Sequence, residues 1–294
     1  MDFAYENGCD ALALTDHGNA NGLSHQVLHA KKMREQGKTF KPIFGCEAYF
    51  IPSISEWRDE YEKALEDKKR AKSLGSELSG ATVEDENSSK KVQDVLRRRR
   101  HLILLAQNQT GLQNIFKLIS ESYKSENFYR YPRMDYDLLA KYGEGIIAAS
   151  ACLGGVYAGN FWENREEGDE AVLNAMRETT RRMVAIFGDR WYGELQWNNV
   201  PEQHKLNQFI IKMHEEFGIG LISTADSHYP NPDAWKDREL YKRLGWLGKA
   251  APSYESTELP IDVDEIGYEL YPKNGDQMWE SYKKYSAECG VEYD

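Results

Sequence analysis

Asp10-Ala11-Leu12-Ala13-Leu14-Thr15-Asp16-His17-Gly18 is a short apolar run that stops at an acid and an imidazole. An apolar run of this length, closed by turn-forming residues, reads as a strand buried on both faces. Asp16 and His17 then stand where that strand ends. Upstream, Asp2 to Asn7 reads as the end of an amphipathic helix with Gly8 as its C-cap. Downstream come a helix from Leu23 to Arg34 and a second buried strand, Lys41 to Phe50, that carries Cys46 and Glu47. Leu102 to Ala106 and Gly145 to Cys152 read as further strands, separated by a helix over 112–123, an aromatic loop at 128–132 and a helix near Leu138. A long helix over 166–187, a strand at 191–196, a helix over 203–217 and a strand at 220–224 complete the pattern. About six strands alternating with helices predict an α/β fold with a parallel sheet or (β/α) barrel. Catalytic and binding groups of such folds gather at the C-terminal ends of the strands.

The bulk composition narrows the function classes. The chain has 294 residues, 40% hydrophobic and 29% charged, which suits a globular domain with a sizeable core. No apolar stretch approaches the roughly 20 residues of a membrane span, and no basic segment followed by an apolar one marks an export signal. The four cysteines, Cys9, Cys46, Cys152 and Cys289, have no CxxC spacing, which points to a reducing compartment, the cytoplasm. A net charge of -11 argues against a chain that grips nucleic acid across its own surface. It suits a site that gathers cations with carboxylates, and it equally serves solubility. Residues 51–100 shift to mixed-sign charge with Ser and Gly around 73–89, and read as an insertion of a solvated helix, a flexible loop and a second helix.

The strand ends carry the chemistry. The first strand delivers Asp16 and His17, the second Glu47, the fourth Cys152 and the last Asp226 and His228. Imidazole, carboxylate and thiolate side chains on one rim make a site for a borderline divalent metal such as Zn2+ or Mn2+. Each residue alone also has a plainer explanation: Asp16 as a helix N-cap, Glu47 as a strand-end charge, Cys152 as buried packing. Their recurrence at strand ends favours the metal site. His101 begins its strand, so the strand-end rule does not place it there. His25 and His29 read as a solvated helix face, and His204 and His214 as surface residues. Asp135-Tyr136-Asp137 and Asp262-Val263-Asp264 resemble paired polymerase carboxylates, but helix capping and loop solvation account for them better. The Arg97-Arg98-Arg99-Arg100 run reads as the solvated C-terminal end of a helix, where cations complement the dipole.

Several of these stretches are similar to the polymerase-and-histidinol-phosphatase (PHP) domain of bacterial DNA polymerase III alpha subunits. Ala11 to Asn19, Gly45 to Tyr49 and His101 to Asn108 resemble successive motifs of that family. Tyr131-Pro132-Arg133-Met134-Asp135, Ala149 to Gly155, Glu194-Leu195-Gln196 and Thr224 to Tyr229 resemble the polymerase-associated branch, and not the stand-alone phosphatases. The resemblance implies a distorted (β/α)7 TIM-like barrel over 1–270, with 51–100 inserted, and the start of a connection toward a polymerase palm over 271–294. It implies His17, Glu47, His101, Cys152, Asp226 and His228 as metal ligands, which restores His101. Asp16, Glu47 and Asp226 become the candidate catalytic carboxylates, Asp16 from just outside the ligand set, with Glu47 as a bridge between two of up to three divalent ions. The family's opening His-x-His is not in this sequence, so the first strand is expected to be missing and the chain to be truncated at both ends. The implied parent is a DNA-directed DNA polymerase (a nucleotidyltransferase) of DNA replication, with a metal-dependent 3'–5' exonuclease at the barrel mouth. Its implied partners are DNA, held mainly by domains absent here, a proofreading subunit and a sliding clamp, with no membrane. A free-standing phosphoesterase and a non-catalytic scaffold are the alternatives.

Overall fold

The structure is a computed structural model that describes residues 1–77, 83–246 and 269–293. In chain order the elements are α1 (Asp2–Glu6), β1 (Ala11–Leu14), α2 (Leu23–Glu35), β2 (Lys41–Phe50), α3 (Ile54–Glu77), α4 (Val83–Arg97) and β3 (Arg100–Ala106). There follow α5 (Gln109–Ser122), β4 (Phe128–Tyr129), β5 (Tyr131–Met134), α6 (Tyr136–Tyr142), β6 (Ile146–Ala149), α7 (Val156–Asn164) and α8 (Asp169–Phe187). The last are β7 (Trp191–Gln196), α9 (Pro201–Phe217), β8 (Gly220–Thr224), α10 (Trp235–Trp246) and α11 (Gly275–Glu288). The aromatic loop of the sequence reading is in fact the β4–β5 hairpin, and α7 is a helix that the residue pattern alone did not suggest. The centre of the expected insertion loop (78–82) and the Asp262-Val263-Asp264 pair lie outside the described residues.

The strands run in the order β4-β5-β2-β3-β6-β7-β8, with β1 also paired to β2. β1 with β2, β2 with β5, and β6 with β7 and β8 are parallel. β3 is not: it runs antiparallel to both β2 and β6. This corrects the expectation of a parallel sheet, and the cause is the insertion. A single crossover helix carries the chain back to the start of the next parallel strand. The α3–α4 hairpin instead returns it to the end it left, so that Phe50, the last residue of β2, pairs with Arg100, the first of β3. The sheet curls strongly. The rings of His17, after β1, and His228, after β8, come within 6.2 Å although four strands separate β1 from β8 in the sheet. This is the distorted TIM-like architecture, realised as a curled sheet covered by helices.

Alternation along β2 sorts its side chains. Cys46, Ala48 and Phe50 join the main core with Leu102, Leu104, Ile115, Met176, Trp191 and Phe209, while Glu47 and Tyr49 face the other way. The insertion has its own small core of Ile51, Ile54, Trp57, Ala64, Val92, Val95 and Leu96, so its helices are more than a solvated excursion. Arg133 locks it to the barrel. Its guanidinium is fully buried, stacks on Trp57 at 4.1 Å, and donates to the carbonyls of Leu96, Arg98, Tyr129 and Tyr131. Burial pulls the Arg133 pKa down to about 10, still high enough to keep the charge. Asp135 caps α6 through Leu138 N–H at 3.0 Å and also accepts from Ile54 N–H at 3.0 Å, the capping role the sequence suggested. His204 departs from its expected surface position. It is fully buried, its Nε2 lies 3.0 Å from the Asn198 carbonyl and its Nδ1 2.8 Å from the Tyr293 hydroxyl. The amphipathic pattern of α9 could not show that 269–293 folds back to cover it.

Candidate metal centre

His17, Glu47 and His101 each present a ligand atom within 4.8 Å of the others. Three elements bring them there. β1 delivers His17 to the loop beyond its end, and Gly18 then turns at φ +68 in a space where a Cβ would strike Pro132 and the Tyr49 ring. Gly18 N–H donates to the Glu47 carbonyl at 2.8 Å and Glu47 N–H to the Asp16 carbonyl at 3.0 Å, so the loop continues the pairing of β1 with β2. β3 supplies His101. Because β3 is antiparallel, its N-terminal end lies at the rim where its neighbours have their C-terminal ends. The strand-end rule left His101 out only because it assumed the wrong direction.

Cys152 lies beside this set on the β6 side, with Sγ 3.6 Å from His101 Nδ1, and Gly154 N–H directed at that sulfur at 3.4 Å. Beyond β8, His228 Nδ1 donates to the Asp226 carbonyl at 2.6 Å, which leaves Nε2 free to face a ligand. Two of the three non-glycine residues with positive φ among the described residues sit here: Ala151 at 60°, beside Cys152, and Asp226 at 46°. Backbone held in this region costs energy and concentrates at functional loops.

The electrostatics fit a cation. Burial alone would raise the Glu47 carboxyl, but His101 at 2.6 Å, with His17 and His228 around it, holds it below the usual range. Burial raises Asp226, an effect that Glu47 reinforces and the imidazoles of His228, His101 and His17 oppose. Burial also drives the Cys152 thiol well up, aided by the charges of Asp226 and Glu47. One member was missed by the sequence reading. Glu194, on β7 and 5% exposed, is pushed up to about 7 by burial, against a hydrogen bond from Thr224 and with repulsion from Asp226 and Glu47. The signal that could have found it is an acid in the middle of a buried strand, since such a residue is rarely placed there without a partner.

The residues present suit a divalent ion. Glu47 is 5% exposed, and its Oε1 lies 2.6 Å from His101 Nδ1 and 3.5 Å from His17 Nδ1, yet it accepts no hydrogen bond of ordinary geometry. A buried carboxylate oxygen without a donor costs free energy unless a cation takes its lone pair. Imidazole nitrogen, carboxylate oxygen and a sulfur nearby form a donor set for a borderline metal. Asp16 is engaged otherwise: its Oδ2 accepts Gly22 N–H at 2.6 Å, ahead of α2. His25 and His29 stay outside, and His29 pairs with Asp2 at 2.8 Å. His214, exposed on α9, reaches only the Ile219 carbonyl.

A family model described as "PHP domain" matches residues 1–198. The chain belongs to the PHP family. Three relatives, each named DNA polymerase III subunit alpha, are similar along most of the chain. That of Aquifex aeolicus is 36% identical over 230 residues, covering 78% of this chain and 16% of the relative. Those of Deinococcus radiodurans and Borreliella burgdorferi are 34% and 31% identical, covering 93% and 92% of this chain but 17% and 19% of the relatives. The chain therefore corresponds to less than a fifth of the length of these relatives. The PHP match ends at residue 198; beyond it, the curl of the sheet brings the His228 ring within 6.2 Å of the His17 ring. Among the described residues no helix is long and apolar enough to cross a membrane.

Proposed function

We propose that this chain is the PHP segment of a DNA polymerase III alpha subunit acting in DNA replication, and that its barrel mouth is a metal-dependent phosphoesterase centre with 3'–5' exonuclease activity. The observation that carries this reading is the buried Glu47 oxygen without a hydrogen-bond donor, set between two imidazoles with Cys152 behind them. His17, Glu47 and His101 are the primary ligands, joined by Cys152, Asp226 and His228, for Zn2+ or Mn2+ and up to three ions. When bound, a divalent cation supplies Lewis-acid polarisation of a phosphoryl oxygen and acidifies water. The chain's own groups do the rest. Glu47 fixes the centre because its strand is paired on both sides. Asp226, on the loop after β8, is the carboxylate that would take up a proton from the attacking water. Asp16 is a positioning residue: its carboxylate pins the turn at Gly22 and its carbonyl holds Glu47 N–H.

Residues 1–270 form the PHP unit in this reading, and 271–294 begin the connection to a polymerase palm. Polymerization, DNA binding, and contacts with a proofreading subunit and a sliding clamp belong to the longer cytoplasmic protein. Replacing Glu47 or Asp226 by Ala in the full-length protein tests the proposal. The expected result is loss of bound metal and of metal-dependent release of 3'-terminal nucleotides, with polymerization retained. Unchanged metal content and nuclease activity would leave only a scaffold.

A further inference from the structure

The four cations of the Arg97–Arg100 run are not equivalent. Arg97 is exposed at the end of α4. Arg98 forms a two-pronged pair with Glu60, at 2.5 and 2.9 Å. Arg100 pairs with Glu163. Arg99 forms no ion pair with any described carboxylate. Its guanidinium stacks on the Tyr131 ring at 4.0 Å and lies 5.3 Å from the Tyr49 ring centre. One nitrogen, Nη1, donates to the Arg97 carbonyl at 3.1 Å, while Nε is buried with no acceptor at all. The Tyr49 ring in turn lies 6.1 Å from the His17 ring and 5.7 Å from the His101 ring. Arg99 is thus a cation without a described carboxylate partner, separated from the His17–Glu47–His101 cluster by the Tyr49 ring and two residues before His101.

Its position is built. The flanking pairs to Glu60 and Glu163 anchor the backbone on either side, and Arg133 holds the carbonyls of Arg98 and Tyr131 together from below. The Nε side of the guanidinium is buried, and the terminal edge, with Nη2 and the second Nη1 hydrogen, is the part that matches the oxygens of a phosphoryl group. Its neighbours Arg98 and Arg100 are each paired with a carboxylate, whereas Arg99 is paired with none among the described residues.

We propose that Arg99 is the phosphate clamp of this centre: its guanidinium edge takes non-bridging oxygens of a nucleotide phosphoryl group and holds the phosphorus over the His17–Glu47–His101 cluster. The inference rests on the phosphoesterase reading above for what happens next, but not for the binding itself. Calorimetric titration of the 294-residue chain with inorganic phosphate and with the dinucleotide thymidylyl-(3'→5')-thymidine, metal-free and with Mn2+, tests it. Arg99→Gln, which keeps part of the stem on Tyr131, should weaken at least one of the two probes about tenfold or more, the scale of a lost charge-assisted contact. Arg99→Lys should recover only part, since an ammonium cannot present two parallel donors. Bound Mn2+, counted by mass spectrometry, should be the same in all variants, and Arg97→Gln should bind both probes like the parent. If only inorganic phosphate responds, the clamp holds a terminal phosphate; if the dinucleotide responds, it holds a phosphodiester. Parental affinity in a folded Arg99→Gln, an equal loss in Arg97→Gln, or no measurable binding of either probe by the parent would overturn the proposal. Arg99-dependent phosphate binding in a chain that takes up no Mn2+ would uphold the clamp while removing the metal reading.

Discussion

Replacing Glu47 by Gln removes one charge, keeps the shape, and separates a ligand from a structural residue. In the metal-free protein the carboxylate has only 7% of its side chain exposed and an oxygen without a donor, so its contribution to folding is small. The neutral amide should change stability by less than about 1 kcal/mol at pH 7.5, because it relieves a buried charge and forgoes its attraction to two imidazoles. The metal-bound protein should behave differently. A cation present at about 100 times its Kd stabilises the fold by about 2.7 kcal/mol. At about 2–4 °C per kcal/mol for a domain near this size, the parent melts about 5–11 °C higher with metal than without. Loss of a ligand should cost at least the roughly 100-fold seen at the upper end for groups that merely orient ligands. That brings the cation to about its Kd, where the stabilisation is about 0.4 kcal/mol and the shift only about 1–2 °C. Thermal melts of both proteins with Mn2+, Zn2+ or chelator, beside a metal count, give the answer. A full metal-induced shift in Glu47→Gln would refute the ligand assignment. A metal-free variant destabilised by more than about 3 kcal/mol would show that Glu47 holds the fold instead. The sign with pH follows from the depressed Glu47 carboxyl: its stabilisation of the metal-free fold is present above the ordinary carboxylate range and is lost as pH falls through the lowered value.

Two further outcomes test the frame around the centre. Arg133→Met fills the same space but leaves the carbonyls of Leu96, Arg98, Tyr129 and Tyr131 without their donor, and should lower unfolding stability by about 3–5 kcal/mol, read as a smaller midpoint in urea with unchanged slope. Burial lowers the His204 pKa, against the pull of the Asn198 carbonyl, so the unfolded chain binds a proton that the folded one resists. Stability should therefore fall as pH drops below about 6.5, and His204→Gln should flatten that part of the profile in urea melts taken between pH 5 and 8.

Much of this protein was legible residue by residue. Apolar runs such as Ala11–Leu14, Lys41–Phe50, Trp191–Gln196 and Gly220–Thr224 are strands because of their own composition, and His17, Glu47 and Cys152 announce themselves on or just beyond strands by the abrupt change from apolar to metal-competent side chains. Those are local properties, fixed within a few residues. Strand direction is not local. Whether β3 runs with or against β2 depends on whether one helix or a packed pair of helices connects them, and that rests on Trp57 meeting Val95 across the insertion. Only this reversal puts His101 at the same mouth as His17. Glu194 was passed over because an acid inside an apolar strand looks like an exception until Thr224 and Asp226 are seen beside it. Arg99 looked like any member of a basic run until two of its neighbours proved to be paired and it did not. The amino-acid sequence determined which side chains could bind a cation. The curl of the sheet and the direction of β3, set by packing between residues far apart in the chain, decided which of them meet.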